Sequence, residues 1–243
     1  MSRTLLVIGA SSDLGCRLIE RNIDNYDKIA AHYFHGNENF NKMIKQHEGK
    51  IVPLQADLCS SDSVQSMINA INELNLAPDH VVHLAADKFK NVRFHQSARD
   101  DFTRALECSL ISFAEILKPL LTQMAKNKYG KVVVMLSSVT CNNIPPKFLS
   151  PYIVSKYALL GLVRSLASEY GVKGINVNAV SPEMIDTKYL ADLPEMLVEM
   201  NKENSVAGRN LDVDEVVPTI EYLLSNASDM VTGQNVLISG VKR

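Results

Sequence analysis

Leu5-Leu6-Val7-Ile8-Gly9-Ala10-Ser11-Ser12-Asp13-Leu14-Gly15 is the stretch that decides the fold. Its four leading apolar residues make a strand buried on both faces. Glycine and small residues then turn the chain, and 14–22 follows with helical spacing. A strand ended by glycine lets backbone N–H groups approach a pyrophosphate, and the helix N-terminus adds partial positive charge. Taken alone, the same strand–turn–helix also serves as a plain structural unit.

Further along, apolar runs of strand length recur at 28–33, 51–54, 80–84, 131–136, 174–180 and 235–239. Several are rich in Val and Ile without strict alternation, as expected of strands covered on both sides. Amphipathic stretches lie between them: 63–74, 101–126, 152–170 and 214–225. The long 101–126 stretch reads as two helices, or as one bent at Pro119. This alternation predicts an α/β, Rossmann-like doubly wound parallel sheet with right-handed crossovers and helices on both faces. No repeat or linker interrupts the 243 residues, so 1–243 reads as a single domain for dinucleotide binding and catalysis.

Composition excludes several classes. A net charge of -2 with 21% charged residues gives no bulk case for nucleic acid or an anionic membrane as partner. No run approaches the ~20 apolar residues of a membrane span. The apolar 5–10 segment is too short for a signal core, which makes a cytoplasmic location the expectation. Cys16, Cys59, Cys108 and Cys141 show neither CxxC nor zinc-like spacing, so free thiols and no metal are expected. Cys141 stands out because it lies three residues after Ser138.

The chemistry concentrates downstream. The run Lys131-Val132-Val133-Val134-Met135-Leu136-Ser137-Ser138 is a buried strand ending in two hydroxyls. Fourteen residues beyond Ser138 comes Tyr152-Ile153-Val154-Ser155-Lys156. Tyr and Lys at i and i+4 share one helix face. A free phenol titrates near ~10, and a neighbouring ammonium favours the phenolate. Tyr152 is thereby suited to exchange a proton with a carbonyl or alcohol oxygen. Ser138 is placed to hold that oxygen. The hydride of such a reaction must come from a nicotinamide, because no side chain supplies one.

These motifs together resemble the short-chain dehydrogenase/reductase family, almost end to end. Residues 9–15 resemble its TGxxxGxG loop, and Ala56-Asp57-Leu58 its adenine-contacting segment. Ser138, Tyr152 and Lys156 match its Ser-Tyr-Lys triad. Asn178-Ala179-Val180-Ser181-Pro182, with Ile185 and Thr187, resembles the NxxxPGxIxT stretch beside the nicotinamide. Thr232-Gly233-Gln234 resembles the TGQ before its last strand. The resemblance implies a catalytic set of Ser138, Tyr152, Lys156 and Ser109, the last in place of the family's Asn. It implies cofactor contacts at Gly9, Ser11, Ser12, Asp13, Leu14, Gly15, Asp57, Leu58, Ala85, Tyr152, Lys156, Pro182, Ile185 and Thr187. It also implies a homotetramer or homodimer, joined through 101–126 and the helix starting at Tyr152.

The departures are specific. Ile8 replaces the Thr before the first glycine, Asp13 a middle glycine, and Glu183 the glycine after the conserved proline. His83-Leu84-Ala85-Ala86 stands for NNAG. No acid ends the second strand in Ala31-His32-Tyr33-Phe34-His35-Gly36-Asn37, and no Arg or Lys stands there. The cofactor expectation is therefore NADP, with NAD open. The substrate mouth is expected at 87–97, with Lys88, Lys90, Arg93 and His95, and at 183–208, which reads as an amphipathic lid or a packed helix. The pattern is similar to that of 3-oxoacyl-carrier-protein reductases, with Lys128 and Lys173 at that subgroup's carrier-docking positions. The expected reaction is NAD(P)H-dependent hydride transfer between a nicotinamide cofactor and a carbonyl/alcohol substrate, with an acyl thioester or biosynthetic intermediate, carrier-bound or free, among the candidates. The alternative is a dinucleotide-binding sensor or subunit with little turnover.

Overall fold

The computed structural model describes residues 3–88, 90–141 and 145–240. Phe89, inside the expected mouth stretch, and the extreme ends of the expected domain lie outside the described residues.

Seven strands form one parallel sheet in the order β3-β2-β1-β4-β5-β6-β7. They are β1 (Thr4–Ile8), β2 (Lys28–Tyr33), β3 (Ile51–Gln55), β4 (His80–His83), β5 (Gly130–Met135), β6 (Ile175–Pro182) and β7 (Asn235–Ile238). Each coincides with an apolar run of the sequence to within two residues at either end. The doubly wound α/β expectation therefore holds.

Successive β1 residues point to opposite faces and divide the core in two. Leu6 and Ile8 pack on one side with α3 (Ser61–Glu73), α5 (Ser112–Asn127) and α6 (Ser150–Tyr170). Leu5 and Val7 pack on the other with α1 (Asp13–Asn22), α2 (Glu38–Gln46) and α8 (Val213–Leu224). Each fully buried Leu, Ile or Phe, such as Phe40 of α2, contributes about 1.5–3 kcal/mol of transfer free energy. Helix α2 is short and polar, which hid it in the sequence. Asn37 defines its start by accepting the Phe40 N–H at 2.9 Å.

The 101–126 stretch breaks elsewhere than at Pro119. Helix α4 (Arg99–Leu106) runs into a π-helical turn, Glu107–Ile111, and then into α5. Pro119 lies inside α5. The extra residue of a π turn re-aims side chains within a continuous helix, and such turns gather at functional sites. Strand order reverses between β1 and β4, so their carboxyl ends flank the crevice where ligands bind in open α/β sheets.

Candidate active site

At that crevice, Gly9 adopts φ +91°, and a Cβ there would meet the Ala85 nitrogen at 3.0 Å. A Cβ on Gly15 would lie 2.6 Å from the Gly9 carbonyl, so only glycine lets α1 come this close to β1. Ser12 caps α1: its hydroxyl donates to Gly9 O at 2.8 Å and accepts from Gly15 N at 3.0 Å. The Ser11 hydroxyl donates to His35 O at 2.9 Å. Both serines thus shape the loop, which leaves the first-turn N–H groups at Asp13 and Leu14 available to an anion. This cradle fits a dinucleotide pyrophosphate in all but one respect. The Asp13 carboxylate sits in the first turn and accepts the Lys188 N–H at 2.8 Å.

His32 buttresses the loop from β2. Its Nδ1 accepts from Gly9 N at 3.1 Å, and its Nε2 pairs with Ala56 O at 3.1 Å. Burial pushes this imidazole down to about 4. Next in line, Asp57 turns its own chain by accepting Cys59 N at 2.9 Å, and Leu58 is buried in the core. Only the backbone of Leu58 is left for an adenine. Beyond β2, Gly36, Asn37, Glu38, Asn41, Lys42 and Lys45 line an open cavity of about 570 Å³. Lys42 and Lys45 carry no sequence signal for this place because they lie on α2, nine and twelve residues beyond the end of β2.

The residues expected to be catalytic come from the end of β5, the turn after it, α6 and the π-helical turn. Pro151 opens α6 within its first turn, where a missing N–H costs nothing. One turn on, Lys156 reaches back under β5, with Nζ donating to Met135 O at 2.8 Å and 5.6 Å from the Tyr152 ring centroid. Lys156 is only 2% exposed. Burial pushes it down to about 8.

Tyr152 departs from the sequence expectation. Burial pushes its phenol up to about 12, and a side-chain hydrogen bond with Ser137 pulls the other way. The expected lowering by Lys156 does not dominate here, because the ammonium is turned to the Met135 carbonyl and desolvation outweighs it. Of the two serines, Ser137 is the one whose side chain favours the Tyr152 phenolate. Ser138 begins the 3-10 turn Ser138–Thr140 one residue further on.

Ser109 is buried on the π-helical turn, and its carbonyl accepts from His83 Nε2 at 2.8 Å. The His83 ring stacks on Phe113 at 4.2 Å and 6°. Burial foremost, then the Lys156 charge, pushes His83 down to about 3. On the far side, Pro182 ends β6, Ile185 bridges to Leu211, and the Thr187 hydroxyl donates to Ile185 O at 3.4 Å. Glu183 accepts from the Ser205 hydroxyl at 2.9 Å.

A strap closes the site. Besides the Lys188–Asp13 bond, the Tyr189 hydroxyl donates to Asp87 O at 2.6 Å. Lys90 pairs with Asp101 at 2.5 Å, and Arg104 with Asp87 at 3.3 Å, so these mouth cations are already matched. The cavity between Tyr152, Ser109 and Lys90 is about 30 Å³, room for roughly one water. Helix α7 (Glu195–Asn204) follows the strap with no buried residue, its Met196 and Met200 exposed. That favours the lid over the packed helix. Lys128 and Lys173 lie elsewhere: they precede β5 and β6, at the amino ends of the strands, whereas Tyr152 follows the carboxyl end of β5. Lys173 stacks over Tyr170, with Nζ 4.5 Å from its ring centroid.

A family model described as Enoyl-(Acyl carrier protein) reductase matches residues 20–240. The chain belongs to the short-chain dehydrogenase/reductase family. It is an NAD(P)-dependent oxidoreductase of that family. Acetoacetyl-CoA reductase of Shinella zoogloeoides is 28% identical over 242 residues, covering 99% of this chain and 98% of that protein. The 3-oxoacyl-[acyl-carrier-protein] reductase FabG of Staphylococcus aureus (strain N315) is 24% identical, covering 99% of this chain and 98% of its own. Among solved structures, 4-hydroxyisoleucine dehydrogenase complexed with NADH superposes with a TM-score of 0.89 at 23% identity, covering 99% of this chain and 98% of that one. At that identity the likeness concerns the fold. Among the described residues, no helix is long and apolar enough to cross a membrane.

Proposed function

We propose that this dehydrogenase/reductase is an NADPH-preferring ketoreductase acting on a small carbonyl compound, with a β-ketoacyl thioester as the first substrate class to test. The observation that supports the reading is Lys156 held beside the Tyr152 ring and bonded to the end of β5, at the switch point of the sheet where the glycine turn lies. The thioester comes from the acetoacetyl-CoA reductase relative. The preference for NADPH rests on Lys42 and Lys45 beside the end of β2.

Asp13 and Leu14 N–H groups and the α1 terminus would hold the pyrophosphate, Asp57 the adenine side, and Pro182, Ile185 and Thr187 the nicotinamide side. When bound, the nicotinamide supplies the hydride. Tyr152 donates the proton from its hydroxyl to the carbonyl oxygen, and Ser138 orients that oxygen. Lys156 holds positive charge beneath the phenol and favours its ionised form as the proton leaves. The Ser109 carbonyl, pinned by His83, fixes the back wall of the site. Carrier docking at Lys128 and Lys173 finds no support within one chain, since both sit at the amino ends of β5 and β6. A homodimer or homotetramer is part of the proposal: Ile111, Val154 and Tyr157 are exposed on the two helices expected to form the interface.

The test is oxidation of NADPH with acetoacetyl-CoA and free β-keto esters, using Tyr152→Phe as control. A general acid is worth about 10²–10⁴ in rate, so the variant should bind NADPH and lose that factor. Equal rates in the two proteins would refute the assignment. A second reading, a dinucleotide-binding protein with little turnover, is favoured by the raised Tyr152 phenol and the ~30 Å³ cavity. Tight NADPH binding without oxidation across a carbonyl panel would establish it.

A further inference from the structure

The rim outside Tyr152 carries charge and aromatic surface that proton transfer does not use. The 87–104 stretch sets Lys88, Lys90, Arg93, Arg99 and Arg104 against Asp87, Asp100 and Asp101. Lys90 and Arg104 are matched by Asp101 and Asp87. Backbone bonding brings a further cation to this edge: Val92 N–H donates to Phe148 O at 2.9 Å, which sets their chain neighbours Arg93 and Lys147 on the same side of the mouth. Arg93, Arg99 and Lys147 are exposed, and among the described residues no ion pair holds them. With Asp100 beside Arg99, the rim remains net positive.

Two phenyl rings lie among these cations. Phe94 rests edge-on against Phe102 of α4, with centroids 6.4 Å apart at 79°, yet stays 72% exposed. Arg99 shares a helix face with Phe102, three residues on, and so flanks Phe94. Phe148 is also exposed and is held at φ +67°, a conformation rare for a bulky residue. Such strain gathers at ligand clamps. The rim adjoins the proton donor. Lys90 and Asp101, the chain neighbour of Phe102, line the cavity at Tyr152, and Phe148 stands just before α6.

We propose that Arg93, Phe94, Arg99, Lys147 and Phe148 form the landing site for the 3′-phospho-ADP handle of coenzyme A, which presents a ketoacyl thioester to Tyr152. This rests on the ketoreductase reading and names the group that carries its substrate. Charge and shape select the ligand. The handle joins phosphates to an adenine, as the rim joins cations to rings. Arginine forks meet phosphate oxygens in pairs, and an exposed phenyl offers a face to a base. A free β-keto ester has neither part. The rim follows β4 and β5, whereas Lys42 and Lys45 follow β2 across the switch point, so this handle and the cofactor's adenosine have separate places.

The experiment titrates the full chain with coenzyme A by calorimetry, in saturating NADP+ so that the Lys42/Lys45 side is filled. Dephospho-coenzyme A should bind about fivefold more weakly, for want of one phosphate. Arg93→Ala/Lys147→Ala should weaken coenzyme A about tenfold, and added salt should shrink the difference. Arg93→Lys/Lys147→Arg, which keeps both charges, should restore most of the affinity. In turnover the alanine variant should lower the preference for acetoacetyl-CoA over ethyl acetoacetate, as a ratio of kcat/KM, by about tenfold. No coenzyme A binding by the parent, equal affinity in parent and alanine variant, or a loss in Lys128→Ala/Lys173→Ala instead would overturn the proposal. So would an acidic acyl carrier protein that binds this rim where coenzyme A does not. Reduction of ethyl acetoacetate without coenzyme A binding would sink the landing site and leave the ketoreductase reading standing. Coenzyme A binding at the rim with no carbonyl reduced would do the reverse.

Discussion

The backbone N–H of Lys188 donates to the carboxylate of Asp13 at 2.8 Å, joining residues 175 positions apart. This bond lays the strap over the first turn of α1, where a pyrophosphate would bind. A carboxylate at a helix N-terminus is itself stabilising, and it competes there with any other anion.

Replacing Asp13 with Gly should therefore act on two measurements at once. NADPH affinity should tighten by roughly threefold to tenfold, equivalent to about 1 kcal/mol of removed repulsion. Limited proteolysis of the free protein should quicken within 188–204, because one of two strap anchors is gone. Unchanged affinity with unchanged cleavage would show that the bond has no part in binding.

Lys42→Ala with Lys45→Ala should weaken NADPH by about tenfold and leave NADH nearly unchanged. Added salt should narrow the gap in the parent protein, since both side chains are exposed and screened. Fluorescence titration of the two reduced cofactors gives the comparison. An equal loss for both would remove the basis for an NADPH preference.

Three buried histidines set the response to acid. Burial holds His32 and His80 down to about 4 and His83 down to about 3, against an ordinary value of 6.5. Between those values the unfolded chain binds protons that the folded chain does not. Stability is thus present above pH 6.5 and lost as pH falls toward 4. The urea midpoint should drop steeply over this window. His83→Phe, which keeps an aromatic ring beside Phe113, should flatten the slope by about one proton.

Lys156 produces the opposite limb. Burial lowers it from 10.5 to about 8, so between these values the folded chain releases a proton that the unfolded chain keeps. Stability gains from Lys156 as pH rises through 8, until Tyr152, raised from 10 to about 12, begins to cost stability above pH 10. Denaturant midpoints from pH 7 to 10 should rise in the parent relative to Lys156→Met, whose profile should lack this gain.

The sequence made most of the sheet legible because parallel strands must be apolar on both faces, as Thr4–Ile8 and Gly130–Met135 are. Local spacing also exposed Tyr152 and Lys156, one helical turn apart. The two serines show where such reading stops. Ser137 and Ser138 are adjacent and chemically alike, and only the turn after β5 decides where each hydroxyl lies. Similarly, π-helical packing at Glu107–Ile111 has no composition signal, so the sequence leaves two helices and one bent at Pro119 both open, and the structure shows two.

By itself, the sequence determined the α/β alternation, the glycine turn and the Tyr-Lys helix, since each depends on residues within one or two turns of one another. Tertiary structure alone decided what surrounds them. It set Asp13 against Lys188, His83 beneath Ser109, and Lys42 and Lys45 beside the end of β2. The physical reason is range. Hydrophobic periodicity and turn chemistry act along the chain, whereas desolvation and hydrogen bonding act through space among groups that the sheet brings together.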